Sequence, residues 1–161
     1  MINSERLPNK YNAGFRDVQL FDKKRNREIG VALWYPVLES EKSIYYLDDY
    51  PGNVAENSQF MQDCFPLIIS SHGSGGHRFN QHYLGEALAR YGYYFAAIQN
   101  SYNNSFNDDD GNDIANFWHR PNDVRFVLDY FQKEFSSVAI AQKSVVVIGH
   151  SFGGYTALVL A

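Results

Sequence analysis

The sequence holds one cysteine, Cys64, in 161 residues. A lone thiol cannot close an internal disulfide, so oxidative stapling is excluded and either redox compartment stays open. Positive charge is scarce as well: 14 Lys and Arg stand against 18 Asp and Glu, a formal net charge of −4. Such a surface has no general attraction for phosphate backbones, and nucleic acid is not expected as a partner. Long apolar runs are missing too. The longest, Ser144-Val145-Val146-Val147-Ile148, is strand-sized and far below the ~20 residues that span a bilayer, so no membrane span is expected. The opening Met1-Ile2-Asn3-Ser4-Glu5-Arg6 lacks the apolar core of a signal peptide, which makes a cytoplasmic protein the default. What is present is an ordinary globular balance tilted toward Tyr and Phe, with 45% hydrophobic, 20% charged and 16% aromatic residues. That excludes a disordered chain and suits one domain.

Gly14 to Phe21 alternates loosely at Phe15, Val18 and Leu20, whereas Glu28 to Val37 places Ile29, Val31, Leu33 and Tyr35 on one face. The charged stretch Asp22-Lys23-Lys24-Arg25-Asn26-Arg27 between them predicts an antiparallel hairpin with a solvated tip. Leu38 to Asp63 has no clear period and reads as a surface excursion, with a turn at Pro51-Gly52-Asn53. Phe65 to Ser71 is a short apolar strand running into His72-Gly73-Ser74-Gly75-Gly76. The spacing of Tyr83, Leu84, Ala87, Leu88 and Tyr91 predicts a helix over 79–91, stopped at Gly92 and followed by a strand from Tyr93 to Gln99. After a polar loop from Asn100 to Asn116, a second helix is expected from Pro121, with Val124, Val127, Leu128, Phe131 and Phe135 on one stripe. The strand Ser144–Ile148, a second glycine turn and a helix from Tyr155 close the chain. This β-α-β-α-β-α order predicts a parallel sheet covered on both faces, with ligands at the strand C-termini.

Both glycine loops fall at that edge. Gly149-His150-Ser151-Phe152-Gly153 matches G-x-S-x-G between an apolar strand and a helix that starts with small residues, the context in which a serine is thrust out on a strained turn as a nucleophile. The helix N-terminus beneath it favours developing negative charge. Acyl transfer through Ser151 needs oxyanion donors; Phe152 N–H supplies one, and Ser74 in the other loop is placed to supply the second. The plain alternatives are a βα turn used only for packing and a flexible connection in which His72 bonds local backbone. The second loop has no P-loop ending and no dinucleotide pattern, so no phosphate cradle is read there. Asn107 to Asp113 resembles a calcium loop, but aligning Gly111 with the invariant glycine puts Phe106 and Phe117 at the terminal ligand positions, and a solvated acidic loop is expected instead. No metal and no cofactor are implied. Trp34, Trp118 and the tyrosines are read mostly as core or interface aromatics.

Four runs together resemble the α/β-hydrolases, and more narrowly their dienelactone hydrolase/platelet-activating-factor acetylhydrolase-like group. They are Val31-Ala32-Leu33-Trp34-Tyr35-Pro36, Pro66 to Gly76, Arg120-Pro121-Asn122-Asp123-Val124-Arg125-Phe126-Val127-Leu128-Asp129 and Gly149 to Leu158. The resemblance covers the chain from about residue 14 onward. It implies a three-layer α/β/α sandwich whose mostly parallel sheet starts with an antiparallel hairpin. It assigns the nucleophile to Ser151 and the oxyanion donors to Phe152 and Ser74, with His72, Gly73, Gly149, His150 and Gly153 as supporting loop residues. Dienelactone hydrolases proper use cysteine, so Ser151 points to the esterase side. Gln99-Asn100-Ser101-Tyr102-Asn103-Asn104 departs from the Pro-Asp-His-like sequence common in the group, which bears on substrate preference.

A serine nucleophile needs a base and an orienting acid, and in this fold both follow it in the chain. Only ten residues follow Ser151, and they contain neither His nor Asp/Glu. Of the remaining histidines, His77, His82 and His119 occupy no base position of the family. The expectation is therefore that residues 1–161 are the N-terminal part of one α/β-hydrolase domain, cut after the nucleophile turn. An excised piece, a truncated reading frame and one part of a split gene remain open. The apolar edge of the last strand would then favour self-association. The leading expectation is a serine carboxylic-ester hydrolase acting on a small ester. Two alternatives stand beside it: an inactive or partner-binding fragment, and an acyltransferase or peptidase on the same fold.

Overall fold

The computed structural model describes residues 9–108, 113–134 and 140–161. The first strands, β1 (Asn12–Asp22) and β2 (Arg27–Val37), pair antiparallel along their whole length from Asn12↔Val37 to Asp22↔Arg27. The loose alternation of β1 has a simple cause. Phe15 faces one core cluster and Leu20 the other, so the strand is covered on both sides. In β2 the residues Ile29, Val31, Leu33, Tyr35 and Val37 share one cluster, while Ala32 and Trp34 join the opposite one.

The expected excursion after β2 contains two further strands, β3 (Lys42–Tyr46) and β4 (Tyr50–Glu56), paired as a hairpin. Its turn lies at Leu47 and Asp48, both at positive φ, rather than at Pro51-Gly52-Asn53, which are inside β4. The period was hidden because only Tyr46, Gly52, Val54 and Ala55 of these two strands are buried.

From there the chain alternates as expected: β5 (Phe65–Ser71), α1 (His82–Arg90), β6 (Tyr94–Gln99), a small hairpin β7 (Asn103–Asn104) and β8 (Asn107–Asp108), α2 (Asp113–Glu134), β9 (Ile140–Gly149) and α3 (Phe152–Leu160). Seven strands form one sheet in the order β3-β4-β1-β2-β6-β5-β9. The sheet is mixed. Parallel pairing joins β6, β5 and β9, and also β1 with β4; the pairs β3–β4, β1–β2 and β2–β6 are antiparallel. The expected mostly parallel character thus belongs to the half of the sheet that carries the glycine loops. At the other end of that half, β9 is the last strand, and Val146 is half-exposed on it.

Two apolar clusters lie on opposite faces of the sheet. Ala89, Leu84 and Leu88 of α1 close one, and Val124, Val127 and Phe131 of α2 close the other. The burial of α1 differs from its apolar spacing. Tyr83 and Tyr91 are exposed, and Gly85, Glu86 and Ala89 face inward. Gly85 lies against the Trp34 indole, and Glu86 accepts a hydrogen bond from Tyr46 Oη and pairs with Arg90. The stripe thus located the helix through Leu84 and Leu88, while its two tyrosines lie outside and a glycine and a bonded carboxylate share the inward face.

The second helix begins at Asp113, eight residues before the expected start at Pro121, which lies inside it. The proline removes a backbone donor. Side chains donate to the carbonyls beside it, Asn122 Nδ2 to Trp118 O and Arg25 Nη1 to His119 O. Its stripe of Val124, Val127, Leu128 and Phe131 is as expected, and Phe135 lies outside the described residues, as does most of the acidic loop before Asp113. The hairpin tip is also less solvated than its charges imply. Arg25 and Arg27 reach α2 and bond the fully buried Asp123 at 2.7 and 3.0 Å, tying the hairpin to the helix. Trp34 is core, but Trp118 is largely exposed. Among the described residues no helix is long and apolar enough to cross a membrane.

Candidate active site

Parallel register sets the site. Ser71↔Gly149 pairs the last residues of β5 and β9, so the loops that follow them leave the sheet side by side. Each then turns sharply. Ser151 has φ 52° and ψ −116°, a conformation that costs a non-glycine residue on the order of 1–3 kcal/mol and persists only where its surroundings hold it. Here they do: His150 N–H donates to Ser71 O at 3.3 Å, Gly153 N–H to His150 O at 2.9 Å and Gly154 N–H to Ser151 O at 2.8 Å. The tightness explains two glycines. A Cβ on Gly153 would fall onto Ser71 O, and one on Gly149 onto Gly153 O. Ser151 itself is exposed at the start of α3, a helix without a charged residue.

Across from it, a Cβ on Gly73 would lie 3.4 Å from Ser151 Cβ and 3.1 Å from His150 Nδ1. The structure therefore brings His72, Gly73, Ser74, Gly149, His150, Ser151, Phe152 and Gly153 to one place. Phe152 opens α3, and the first N–H groups of a helix have no intrahelical acceptor. Neither Phe152 N–H nor Ser74 N–H has an acceptor among the described residues. Ser74 Oγ is occupied by Asn103 Nδ2 at 3.0 Å. Beside the two loops lies a cavity of about 200 Å³, lined among others by Ser70, His72, Gly73, His77, Gln81 and His150.

His72 is held by both ring nitrogens. Asn100 N–H donates to Nε2 at 3.2 Å, so the ring proton sits on Nδ1, which donates to Gly73 O at 2.6 Å. Burial, with the nearby Arg120 cation, pushes its pKa down to about 4, and the ring is neutral at ordinary pH. The bond to local backbone entertained from the sequence is real, and it is part of the site. His77 is similarly committed, with Phe79 N–H on Nδ1 and Tyr50 Oη against Nε2; burial lowers its pKa as well. Among the described residues no histidine or carboxylate lies within hydrogen-bonding distance of Ser151 Oγ, and no group of three metal-ligating side chains forms.

Sequence reasoning missed the polar layer beneath the loops. Arg120 is fully buried, and its guanidinium donates to His72 O, to Gly73 O at 3.3 Å and to Asn103 Oδ1, with its plane 4.4 Å over the Phe152 ring. Burial lowers its pKa to about 10, which leaves it protonated at neutral pH. Asn100 Nδ2 donates to Ser71 Oγ and Asn104 Nδ2 to Asn100 O. The signal was present: Arg120 and the Gln99–Asn104 stretch both stood in runs singled out above, but a polar side chain does not announce its burial. A second, larger groove of about 690 Å³ between the hairpin tip and α2 shares no lining residue with either glycine loop.

No family model matches the sequence, and no curated protein matches it. Solved structures do. A ferulic acid esterase from Streptomyces cinnamoneus superposes with a TM-score of 0.83 over 96% of this chain at 26% identity. An acetyl xylan esterase from Paenibacillus sp. R4 superposes over 94% with a TM-score of 0.52 at 17% identity, a likeness of fold alone. The chain spans 57% of the first and 49% of the second. The structural neighbours are esterases, and the chain shares their mixed α/β fold of α/β-hydrolase-like type.

Proposed function

We propose that residues 1–161 form the nucleophile-bearing part of a serine carboxylic-ester hydrolase, a portion of a three-layer α/β/α sandwich related to the dienelactone hydrolase/platelet-activating-factor acetylhydrolase-like group. The observation that carries this reading is Ser151 at φ 52°, exposed and facing Gly73, with the Ser74 and Phe152 N–H groups lacking acceptors among the described residues. In this reading Ser151 Oγ adds to the ester carbonyl while its proton passes to a base. The carbonyl electrons move onto the oxygen, which the Ser74 and Phe152 N–H groups hold. Collapse expels the alcohol and leaves an acyl-enzyme, and water then releases the acid and restores the serine.

Among the described residues His72 and His77 are committed elsewhere and no histidine or carboxylate reaches Ser151 Oγ, so in this reading the base and its acid are supplied from outside the described residues. The likeness to a ferulic acid esterase makes feruloyl esters, beside p-nitrophenyl acetate, the substrates to try first. The test is turnover by the product of the full reading frame and by its Ser151→Ala variant. Loss of more than about a thousandfold in kcat on removing Ser151 supports the reading; unchanged turnover overturns it.

One observation favours a second reading, a silent binding piece: Ser151 Oγ has no base among the described residues. A fluorophosphonate probe separates the two. Labelling that needs Ser151 supports the esterase, and no labelling at high probe concentration supports the silent piece.

A further inference from the structure

We propose that Arg120 and His72 are positioning residues that aim and polarise one peptide unit, Gly73–Ser74, at the oxyanion, a role that rests on the esterase reading above. The C=O of Gly73 and the N–H of Ser74 belong to the same peptide, and in a trans peptide they point in opposite directions. Whatever anchors that carbonyl therefore aims that N–H.

Three donors converge on Gly73 O: His72 Nδ1–H at 2.6 Å, Gly76 N–H at 3.2 Å and Arg120 Nη2–H at 3.3 Å. The first is available only because Asn100 N–H occupies His72 Nε2 and so fixes the tautomer. The third brings a full positive charge to the carbonyl end of the peptide. Charge there draws electrons from the amide and strengthens its N–H as a donor, the cooperative effect expected of chained hydrogen bonds in a low-dielectric interior.

Burying a guanidinium is costly without partners. Among the described residues no carboxylate lies within ion-pair distance of Arg120, and its Nη1 and Nη2 groups donate instead to carbonyl and side-chain oxygens of the site: His72 O, Gly73 O, Asn103 O, Asn103 Oδ1 and Ser71 Oγ. Its remaining face covers the Phe152 ring at 4.4 Å, and Phe152 carries the second oxyanion donor. One buried side chain thus touches both halves of the hole, while it makes no bond to Ser151 and does not line the cavity beside the loops.

The experiment measures kcat and KM on the product of the full reading frame with Arg120→Met, Arg120→Lys, His72→Asn and His72→Gln, with melting temperatures for each and Ser151→Ala as reference. An amide at position 72 reaches the place of Nδ1 when it is Asn and the place of Nε2 when it is Gln. His72→Asn should therefore keep most of kcat, whereas His72→Gln and Arg120→Met should lose about 10- to 100-fold in kcat at little changed KM, approaching the loss of one oxyanion donor. Addition of guanidinium should restore part of the Arg120→Met loss. Folded Arg120→Met with unchanged kcat, while Ser151→Ala is inert, overturns the proposal. Where Arg120→Met fails to fold, equal kcat for the two His72 variants overturns it. Turnover that survives Ser151→Ala overturns the esterase reading instead.

Discussion

Acidification from pH 7.5 to 4.5 should weaken the folded chain through His72 in a way that a single substitution removes. The imidazole is buried, accepts Asn100 N–H on Nε2 and donates from Nδ1 to Gly73 O, and burial lowers its pKa from 6.5 to about 4. The folded state therefore holds the ring neutral at a pH where the unfolded chain protonates it. Unfolding takes up a proton throughout that window, so the stabilisation is complete above pH 6.5 and is lost as the pH falls toward 4. A depression of this size is worth about 3 kcal/mol in all, released at up to about 1.4 kcal/mol per pH unit. A protonated ring would also set an Nε2–H donor against the Asn100 donor, which leaves a buried N–H without an acceptor.

The assay is urea unfolding of the wild-type chain and of His72→Asn at pH 7.5, 6.5, 5.5 and 4.5. Burial lowers the pKa of His77 and His119 too, and both add the same sign of slope, but they are common to the two proteins and cancel in the difference. The stability gap between wild type and variant should be constant above pH 6.5 and should shift against wild type by about 2–3 kcal/mol by pH 4.5. A gap that stays flat across the range would refute the reasoning, as would an NMR titration placing His72 near 6.5.

Three further substitutions test the frame of the site and of the fold around it. Gly153→Ala puts a methyl group onto Ser71 O and should cost more than about 3 kcal/mol, read as a lowered melting temperature together with loss of Ser151 labelling by a fluorophosphonate. Asp123→Ala leaves Arg27 buried without its bidentate partner and should cost about 3–5 kcal/mol in urea unfolding. Removing the exposed partner of Arg78, by Asp17→Ala, should cost no more than about 1 kcal/mol.

How much of this was legible beforehand divides along a physical line. Wherever one face of an element is apolar and continuous, the sequence announced it: the β1–β2 hairpin, the β5, β6 and β9 strands, and the stripe of α2 from Val124 to Phe131. It failed where burial is achieved by other means. The β3–β4 hairpin buries too few side chains to leave a period. The inward face of α1 includes a glycine and a bonded glutamate beside Leu84 and Leu88, so the apolar spacing locates the helix but not all that it buries, and α2 starts eight residues before Pro121, which reads as its first turn in the sequence. The two glycine loops were found because close backbone approach admits only glycine, so the constraint is written in the residue itself.

By itself, then, the sequence determined the α/β alternation, the strand-ending glycine turns and the serine between them, since local sterics and periodicity act over a few residues. Only the tertiary structure decided that β5 and β9 are neighbours, that the sheet is half antiparallel, and that His72 is neutral and committed. It alone placed Arg120 beneath both loops. Those facts depend on desolvation and on hydrogen bonds between residues 28 to 49 positions apart, and no local pattern records which polar side chains a fold will bury together.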